Sequence, residues 1–319
     1  MQRQFSASGV EQDQELTIVI PAFNEQGAVA HTLRRLRAAF PAAEIILVDD
    51  CSTDATLAEG SSVPEITIFR HRFNRGYGAA LKTGMMRANG EAIAWFDADG
   101  EHRPEDLKAM VDLFYRESVA AVLGRRPSTG QPIFRLLGKF LLRIWARSLG
   151  QQVDRDLNCG LRVFHAEAIR PYIPMLPDRF SASTTSTLIM LAKKFPIRFL
   201  DIDTDPRVGD SKVRLRHGFE TLLNILRATL IFGPLRLYGT VGLVLFGAGM
   251  AYGLGVTFAV DQGFPTFGLV LITSGLMLLA LGLIADQISQ WRLSMMETNP
   301  IDSSRPKVDQ NTTHERKQN

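Results

Sequence analysis

Glu91-Ala-Ile-Ala-Trp-Phe-Asp-Ala-Asp-Gly-Glu-His-Arg-Pro-Glu-Asp106 is the stretch whose reading decides the fold. It opens as a short apolar run, Ala92 to Phe96, of the kind a buried strand shows. It closes on two carboxylates, Asp97 and Asp99, spaced i, i+2. On an extended segment that spacing sends both side chains to one side. Two such acids repel unless a cation sits between them. A hard divalent ion with oxygen ligands suits the pair, and substrate phosphates commonly complete its shell. Glu101 offers a third oxygen. Pro104 then opens a helix, with Glu105 and Asp106 near its positive end. Strand, acidic turn and helix together mark the carboxyl edge where open α/β sheets bind ligands. Standing alone, an Asp-x-Asp pair equally suits a solvated acidic loop, so the rest of the chain must decide.

Upstream, apolar runs alternate with helical patterns. Leu16 to Ile20 stops at Pro21-Ala-Phe-Asn-Glu25, and a helix is expected to about Phe40. Glu44 to Val48 ends in Asp49-Asp50-Cys51-Ser52-Thr53-Asp54. Ile66 to Phe69 is followed by Asn74-Arg-Gly-Tyr-Gly78 and a helix to about Asn89. Downstream, Val119 to Leu123 leads into Gly124-Arg125-Arg126, and Ile197 to Ile202 is a further strand. The alternation implies a mostly parallel sheet. Its carboxyl edge collects acids suited to a nucleotide: Asp49 or Asp50 for base N–H or ribose hydroxyls, Asp97 and Asp99 for a metal on a diphosphate. The N–H groups of the helix opened by Gly76 and Gly78 are candidates to face anions. There is no Walker loop and no Gly-x-Gly-x-x-Gly after the first strand, which argues against P-loop and dinucleotide chemistry.

Composition narrows the class. A net charge of +3 over 319 residues does not point to nucleic acid. Two cysteines, Cys51 and Cys159, make no disulfide framework and have no partners at zinc spacing. The polar segment 1–14 lacks the apolar stretch of a signal peptide. The C-terminal third differs from the rest: no charge falls between Arg236 and Asp261, nor between Asp261 and Asp286. Each gap of about 24 residues can cross a hydrocarbon core of about 30 Å. Spans are expected at about 237–260 and 264–285, joined by the short turn Asp261-Gln-Gly263 within a membrane segment 236–290. Arg214, Arg216, Arg227 and Arg236 before the hairpin and Arg292 after it put both chain ends and the large N-terminal domain in the cytoplasm. A polar tail, 295–319, is expected to be disordered.

Two amphipathic segments complete the expected layout. Arg135, Lys139, Arg143 and Arg147 form a basic stripe beside Leu136, Phe140, Ile144 and Trp145. Helix 133–149 therefore reads as interfacial, with its basic flank among anionic headgroups. Segment 216–235 is a juxtamembrane helix leading into the first span. The first falls within the globular domain, 15–215, and the second follows it. Arg207 and Lys212 fall close together on a basic loop suited to phosphates.

Pro21-Ala-Phe-Asn-Glu25, Val48-Asp-Asp-Cys-Ser-Thr-Asp54, Asn74-Arg-Gly-Tyr-Gly78, Asp97-Ala-Asp99, Gly160-Leu-Arg162 and Arg207-Val-Gly-Asp-Ser-Lys212 resemble, in order, the motifs of family 2 glycosyltransferases with a GT-A fold. The subgroup the chain resembles is the polyprenyl-phosphate glycosyltransferases, of the dolichyl-phosphate mannose synthase and undecaprenyl-phosphate glucosyltransferase type. The resemblance spans about residues 15 to 292. Cys51 stands where the family has Gly, and Glu101 where many relatives have Gln. Residues 181–187 lack the acid found in distant relatives that use hydroxyl acceptors.

The resemblance implies transfer of one hexose, such as mannose or glucose, with inversion, from GDP-mannose or UDP-glucose to a dolichyl or undecaprenyl phosphate in a lipid bilayer. It implies donor contacts from Pro21, Phe23, Glu25, Asp49, Asp50, Ser52, Gly76, Asp97 and Ala98. It places Mg2+ or Mn2+ on Asp97, Asp99 and Glu101. It assigns the acceptor phosphate to Arg125, Arg162, Arg207, Ser211 and Lys212, and catalysis to Asp99, Arg125, Arg207 and Lys212. A homo-oligomer fits the same picture. A phosphate acceptor is already an anion, so no general base is required, and positioning supplies much of the rate. Two other readings stay open. A processive polysaccharide synthase would carry more spans and a Gln-x-x-Arg-Trp motif before a span, whereas Gln287-Ile-Ser-Gln-Trp291 follows the last span with Gln for Arg. A membrane scaffold or flippase subunit would not need the acids.

Overall fold

The computed structural model describes residues 13–126, 159–179, 181–203, 234–260 and 263–298. The strands are β1 (Leu16–Ala22), β2 (Glu44–Asp49), β3 (Thr67–Arg70), β4 (Ala92–Trp95), β5 (Ala121–Arg125), β6 (Arg162–His165) and β7 (Ile197–Asp201). The helices are α1 (Val29–Ala39), α2 (Thr56–Ser61), α3 (Tyr77–Met85), α4 (Pro104–Glu117), α5 (Ala166–Ile169), α6 (Ala182–Ala192), α7 (Pro234–Val260) and α8 (Thr266–Thr298). A 3-10 helix, Arg170–Met175, follows α5.

The strands form one sheet in the order β3-β2-β1-β4-β6-β5-β7. All pairs are parallel except those made by β6, which runs antiparallel to β4 and β5. The sheet is therefore mixed but mostly parallel, as expected, with β6 as the element that the sequence patterns did not announce. The chain builds β1, β2 and β3 outward, then returns to lay β4 on the other side of β1. That reversal opens a crevice at the carboxyl ends of β1 and β4, where open sheets bind ligands.

Burial follows the period of two. Leu16, Ile18 and Ile20 face one layer with Leu33 and Leu36 of α1 and Leu107 and Met110 of α4. Val19, Ile93 and Trp95 face the other, against Leu81 and Met85 of α3, the 3-10 helix and Ile189 of α6. β1 is buried along its whole length, whereas the edge strands β3 and β7 are partly exposed.

The C-terminal helices obey the opposite rule. Phe258 is 84% and Met277 70% exposed on α7 and α8. The stretches Leu237–Ala259 and Thr266–Trp291 are long and apolar enough to cross a membrane. α7 and α8 pack along each other, and α8 also touches the 3-10 helix of the globular part. At 33 residues α8 is about 50 Å long, well beyond a hydrocarbon core of about 30 Å. It runs past the expected end at 285 and continues as helix to Thr298, into the segment expected to be disordered.

Candidate active site

The loops after β1 and β2 are stitched to each other. Successive backbone N–H groups of Asn24, Glu25, Gln26 and Gly27 donate to Ser52 Oγ (3.0 Å), Thr56 Oγ1 (2.8 Å), Asp54 Oδ2 (3.2 Å) and Glu59 Oε2 (2.8 Å). Asn24 Oδ1 accepts from the Thr53 N–H at 2.9 Å. The polar residues after the two strands thus satisfy a turn that neither loop could close alone. Cys51 sits in the middle of this loop in the left-handed region, φ 66°.

Asp49 and Asp50 then split their tasks. Asp50, 2% exposed, spends its carboxylate on the chain. Oδ1 accepts from His71 Nδ1 (2.6 Å) and the Arg75 N–H (2.9 Å), and Oδ2 from the Gly76 N–H (2.7 Å). His71 Nε2 continues to Thr83 Oγ1 at 2.9 Å, so a buried relay ties β2 to the loop before α3 and to α3 itself. Asp49 Oδ1 caps the Ser52 N–H at 3.0 Å. Its Oδ2 is buried without a hydrogen-bond donor; Arg70 Nε lies 3.1 Å away as an ion pair but out of hydrogen-bond alignment.

The acids after β4 lie in a turn, not on an extended strand, because β4 ends at Trp95 and Gly100 takes φ 78°. Asp99 is 8% exposed, and its Oδ1 accepts the Glu101 N–H at 3.1 Å. Asp97 Oδ1 accepts from the Tyr77 hydroxyl at 2.9 Å, and Oδ2 lies 3.4 Å from His102 Nε2. Burial alone would disfavour the Asp97 carboxylate. The hydrogen bond and charge of His102, the Tyr77 hydroxyl and Arg126 outweigh it and hold its pKa below the ordinary value. Burial likewise opposes a charged His102, but the Asp97 hydrogen bond and the Asp97 and Asp99 charges raise its pKa. Burial and then Asp97 push the Tyr77 phenol well above 10, so it acts as a neutral donor. Gly160 completes the turn: a Cβ there would overlap Asp97 Oδ2.

Residues 17–168 match the family model for glycosyl transferase family 2, and residues 233–291 match that of the GtrB C-terminal hairpin. An uncharacterized protein of Methanocaldococcus jannaschii is 32% identical over 211 residues, 63% of this chain and 85% of that one. The chain belongs to glycosyl transferase family 2. An undecaprenyl-phosphate 4-deoxy-4-formamido-L-arabinose transferase of Photorhabdus laumondii is 28% identical over 311 residues, 88% of this chain and 90% of that one. Among solved structures, glucosyl-3-phosphoglycerate synthase from Mycobacterium tuberculosis, in complex with Mn2+, uridine diphosphate and phosphoglyceric acid, superposes with TM-score 0.57 at 16% identity. That match covers 69% of this chain and 80% of that one. The fold is thus GT-A, with a helical hairpin behind it.

The glycosyltransferase brings Pro21, Phe23, Glu25, Asp49, Ser52, Asp97, Ala98 and Asp99 to one sheet edge. Pro21, one residue before the end of β1, is in register with Val48, next to the Ala22–Asp49 pair. Phe23 is 39% exposed beyond it. The Ala98 carbonyl accepts from Thr32 Oγ1 at 3.3 Å, tying the acidic turn to α1.

Three expectations change. Asp50 is not available to a nucleotide, since His71, Arg75 and Gly76 occupy it. The start of α3 is no anion site: the Gly78 and Ala79 N–H groups donate to the carbonyls of Arg179 (3.1 Å) and Asp178 (2.8 Å), and the Gly76 N–H belongs to Asp50. Gly78 is required because any Cβ would strike the Pro177 carbonyl in this close approach. Arg162 is 1% exposed and cannot reach an acceptor phosphate. It donates to the Cys159 carbonyl (2.8 Å), Ser186 Oγ (3.2 Å) and Thr187 Oγ1 (2.7 Å), and lies over Trp95. Arg125 stands at the end of β5 with its guanidinium paired to Asp201 of β7. Arg207, Ser211, Lys212, the stripe 133–149 and the helix 216–235 lie outside the described residues.

Among the described residues no three His, Cys, Asp or Glu side chains gather into a ready metal cage. Glu101 stands apart from the other two acids, with its Oε2 3.9 Å from Arg126 Nη1. Asp97 and Asp99 alone fit a Mg2+-type mode, in which one or two carboxylates hold the ion and substrate phosphates complete it. Sequence reading missed His71, Tyr77 and His102. Tyr77 and His102 sit inside stretches already singled out and His71 between two of them, but only the tertiary contacts give each a role.

Proposed function

We propose that this chain is a membrane-bound, inverting glycosyltransferase that moves one sugar from a nucleoside-diphosphate sugar to a polyprenyl phosphate. One observation carries the reading: a family 2 acidic edge and a GtrB-type hairpin occur in one chain, in the order shown by relatives named as undecaprenyl-phosphate transferases over nearly their whole length. A lipid-linked acceptor needs the active edge held at a bilayer, and α7 and α8 provide that anchor. The globular domain and both ends face the cytoplasm in this reading, on the basic residues that flank the hairpin.

Asp49 Oδ2, buried and lacking a donor, takes an N–H or hydroxyl of the nucleoside. Phe23 covers the base from the β1 loop. Asp97 and Asp99 hold Mg2+ or Mn2+, which when bound neutralises charge developing on the leaving diphosphate. The acceptor phosphate, already anionic, attacks the anomeric carbon from the opposite face without a general base. Arg207 and Lys212 offset the repulsion between the two anionic substrates. Arg125 joins them once an incoming phosphate competes with the exposed Asp201.

Membranes containing the protein, incubated with polyprenyl phosphate and labelled GDP-mannose, UDP-glucose or a nucleotide-linked 4-deoxy-4-formamido-L-arabinose, test the proposal. A lipid carrying one sugar is expected with one of these donors. A long polymer would instead establish a processive synthase. The absence of any product across the panel would support a non-catalytic scaffold.

A further inference from the structure

We infer that Tyr77 is a positioning residue which, with His102, clamps Asp97 in the orientation that presents its carboxylate to a metal–diphosphate ligand. The inference rests on the nucleotide-sugar reading of this edge and deepens it. Neither residue is expected to touch the substrate.

The clamp is built from three separate segments. Tyr77 opens α3, which is fixed on both sides. The Arg75 and Gly76 N–H groups donate to Asp50, and the Gly78 and Ala79 N–H groups donate to the 178–179 carbonyls. The Tyr77 ring therefore leaves an anchored turn, and its hydroxyl reaches Asp97 Oδ1 at 2.9 Å. His102 approaches the other oxygen, 3.4 Å from Oδ2, from the start of α4. The Gly160 backbone closes the same side. Oδ1 thus has one hydrogen-bond donor and Oδ2 one cationic neighbour, and both keep lone-pair capacity for a ligand, while the side chain remains 25% exposed.

His102 carries the argument that this arrangement serves a site and not stability. Its side chain is 1% exposed and packs edge-on against Phe96, with ring centroids 5.8 Å apart. Its second nitrogen, Nδ1, is buried with no hydrogen-bond partner. An apolar residue would fill that space without leaving a polar atom unsatisfied, which is the more stable choice. The imidazole is explained if its other nitrogen is needed to orient Asp97. Residues that break a local rule in this way concentrate at functional sites.

The test uses the full-length protein in detergent, with Mn2+ and either UDP or GDP as probes, and reads free Mn2+ by electron paramagnetic resonance. Tyr77→Phe keeps the ring and removes only the hydroxyl. It is expected to weaken Mn2+ binding in the presence of the nucleotide by about tenfold, the scale of one charge-assisted hydrogen bond. On an Asp97→Asn background the same change should cost less than about twofold, because a residue that acts only through Asp97 has nothing left to position. His102→Gln, which keeps a donor, should retain more affinity than His102→Leu. Equal losses from Tyr77→Phe on both backgrounds would show a general structural role and overturn the clamp, as would unchanged Mn2+ affinity in Tyr77→Phe. If the unmodified protein bound Mn2+ with neither nucleotide, the metal–nucleotide reading of the edge would fall, and the clamp with it.

Discussion

Two acidic doublets end the two strands that flank β1 in the sheet, and they do opposite work. Asp49-Asp50 follows β2 and faces inward. Asp50 is saturated by three donors from the chain, and Asp49 gives one oxygen to the Ser52 turn. Asp97 and Asp99 follow β4 and lie in a turn that leaves Asp97 a quarter exposed. The first doublet builds the loops and keeps only one Asp49 oxygen without a hydrogen bond; the second is left for a ligand. Strand-end acids at one edge are therefore not interchangeable. What separates them is the number of backbone N–H groups within reach, which sequence spacing does not show.

The largest effect that would sharpen this contrast comes from Asp99→Ala. If the β4 acids act on substrate, transfer should fall by roughly a thousandfold or more, the scale of losing a preorganised charged group at the reacting centre. The melting temperature should stay near that of the unmodified protein. Normal turnover with excess EDTA would break the contrast from the other side, since no metal would then be needed at the second doublet.

Asp50→Ala should invert the pattern. It strands His71 and the Arg75 and Gly76 N–H groups in the interior. Leaving buried donors unpaired costs about 2–4 kcal/mol in total. Denaturant unfolding should show that loss, with activity falling only as folded protein is lost. A variant of unchanged stability would mean that the loop before α3 does not depend on β2.

How much of this was legible in the sequence depends on how far apart the deciding residues lie. The buried strands and the uncharged hairpin announce themselves because burial and span length are written in consecutive residues. β6 escaped because its four residues carry an Arg and a His at the two ends, Arg162 and His165, and show no continuous apolar run. Gly76 and Gly78 suggested an anion site because their neighbours suit one; the carbonyls that occupy the N–H groups of Gly78 and Ala79 arrive from residues 178 and 179. Arg162 suggested a phosphate ligand for the same reason. Its partners Ser186 and Thr187, in the Ser/Thr half of α6, put it in the interior.

A smaller effect concerns acid. Burial opposes the Asp54 carboxylate, but the hydrogen bonds from Thr56 and Gln26 together outweigh it and lower its pKa. Its stabilising contribution is thus complete above its unfolded value of about 3.9 and is lost as pH falls through the lower folded value. Asp54→Asn should flatten part of the acid limb of a stability–pH curve and leave the curve above about pH 5 with the same slope. An unchanged acid limb would show that the stitched β1–β2 loops draw no stability from that charge.

The smallest effect is expected at Cys51, in the middle of the inward doublet's loop. Its φ of 66° lies in the left-handed region, which costs a residue with a Cβ roughly 1 kcal/mol more than glycine. Glycine takes this φ without that cost. The thiol recovers part of the cost through a weak contact, Sγ to the Arg72 carbonyl at 3.6 Å. Cys51→Gly removes the strain but also frees the unfolded chain, which takes back some of the gain. The net should be a stabilisation of about 0.5 kcal/mol, or a melting temperature higher by roughly 1–2 °C for a domain of this size. Cys51→Val should do the reverse, since a β-branched residue tolerates this region least. If Cys51→Gly lowered the melting temperature, the thiol contact would be worth more than the backbone strain. The loop after β2 would then be held by its side chains and not by its turn.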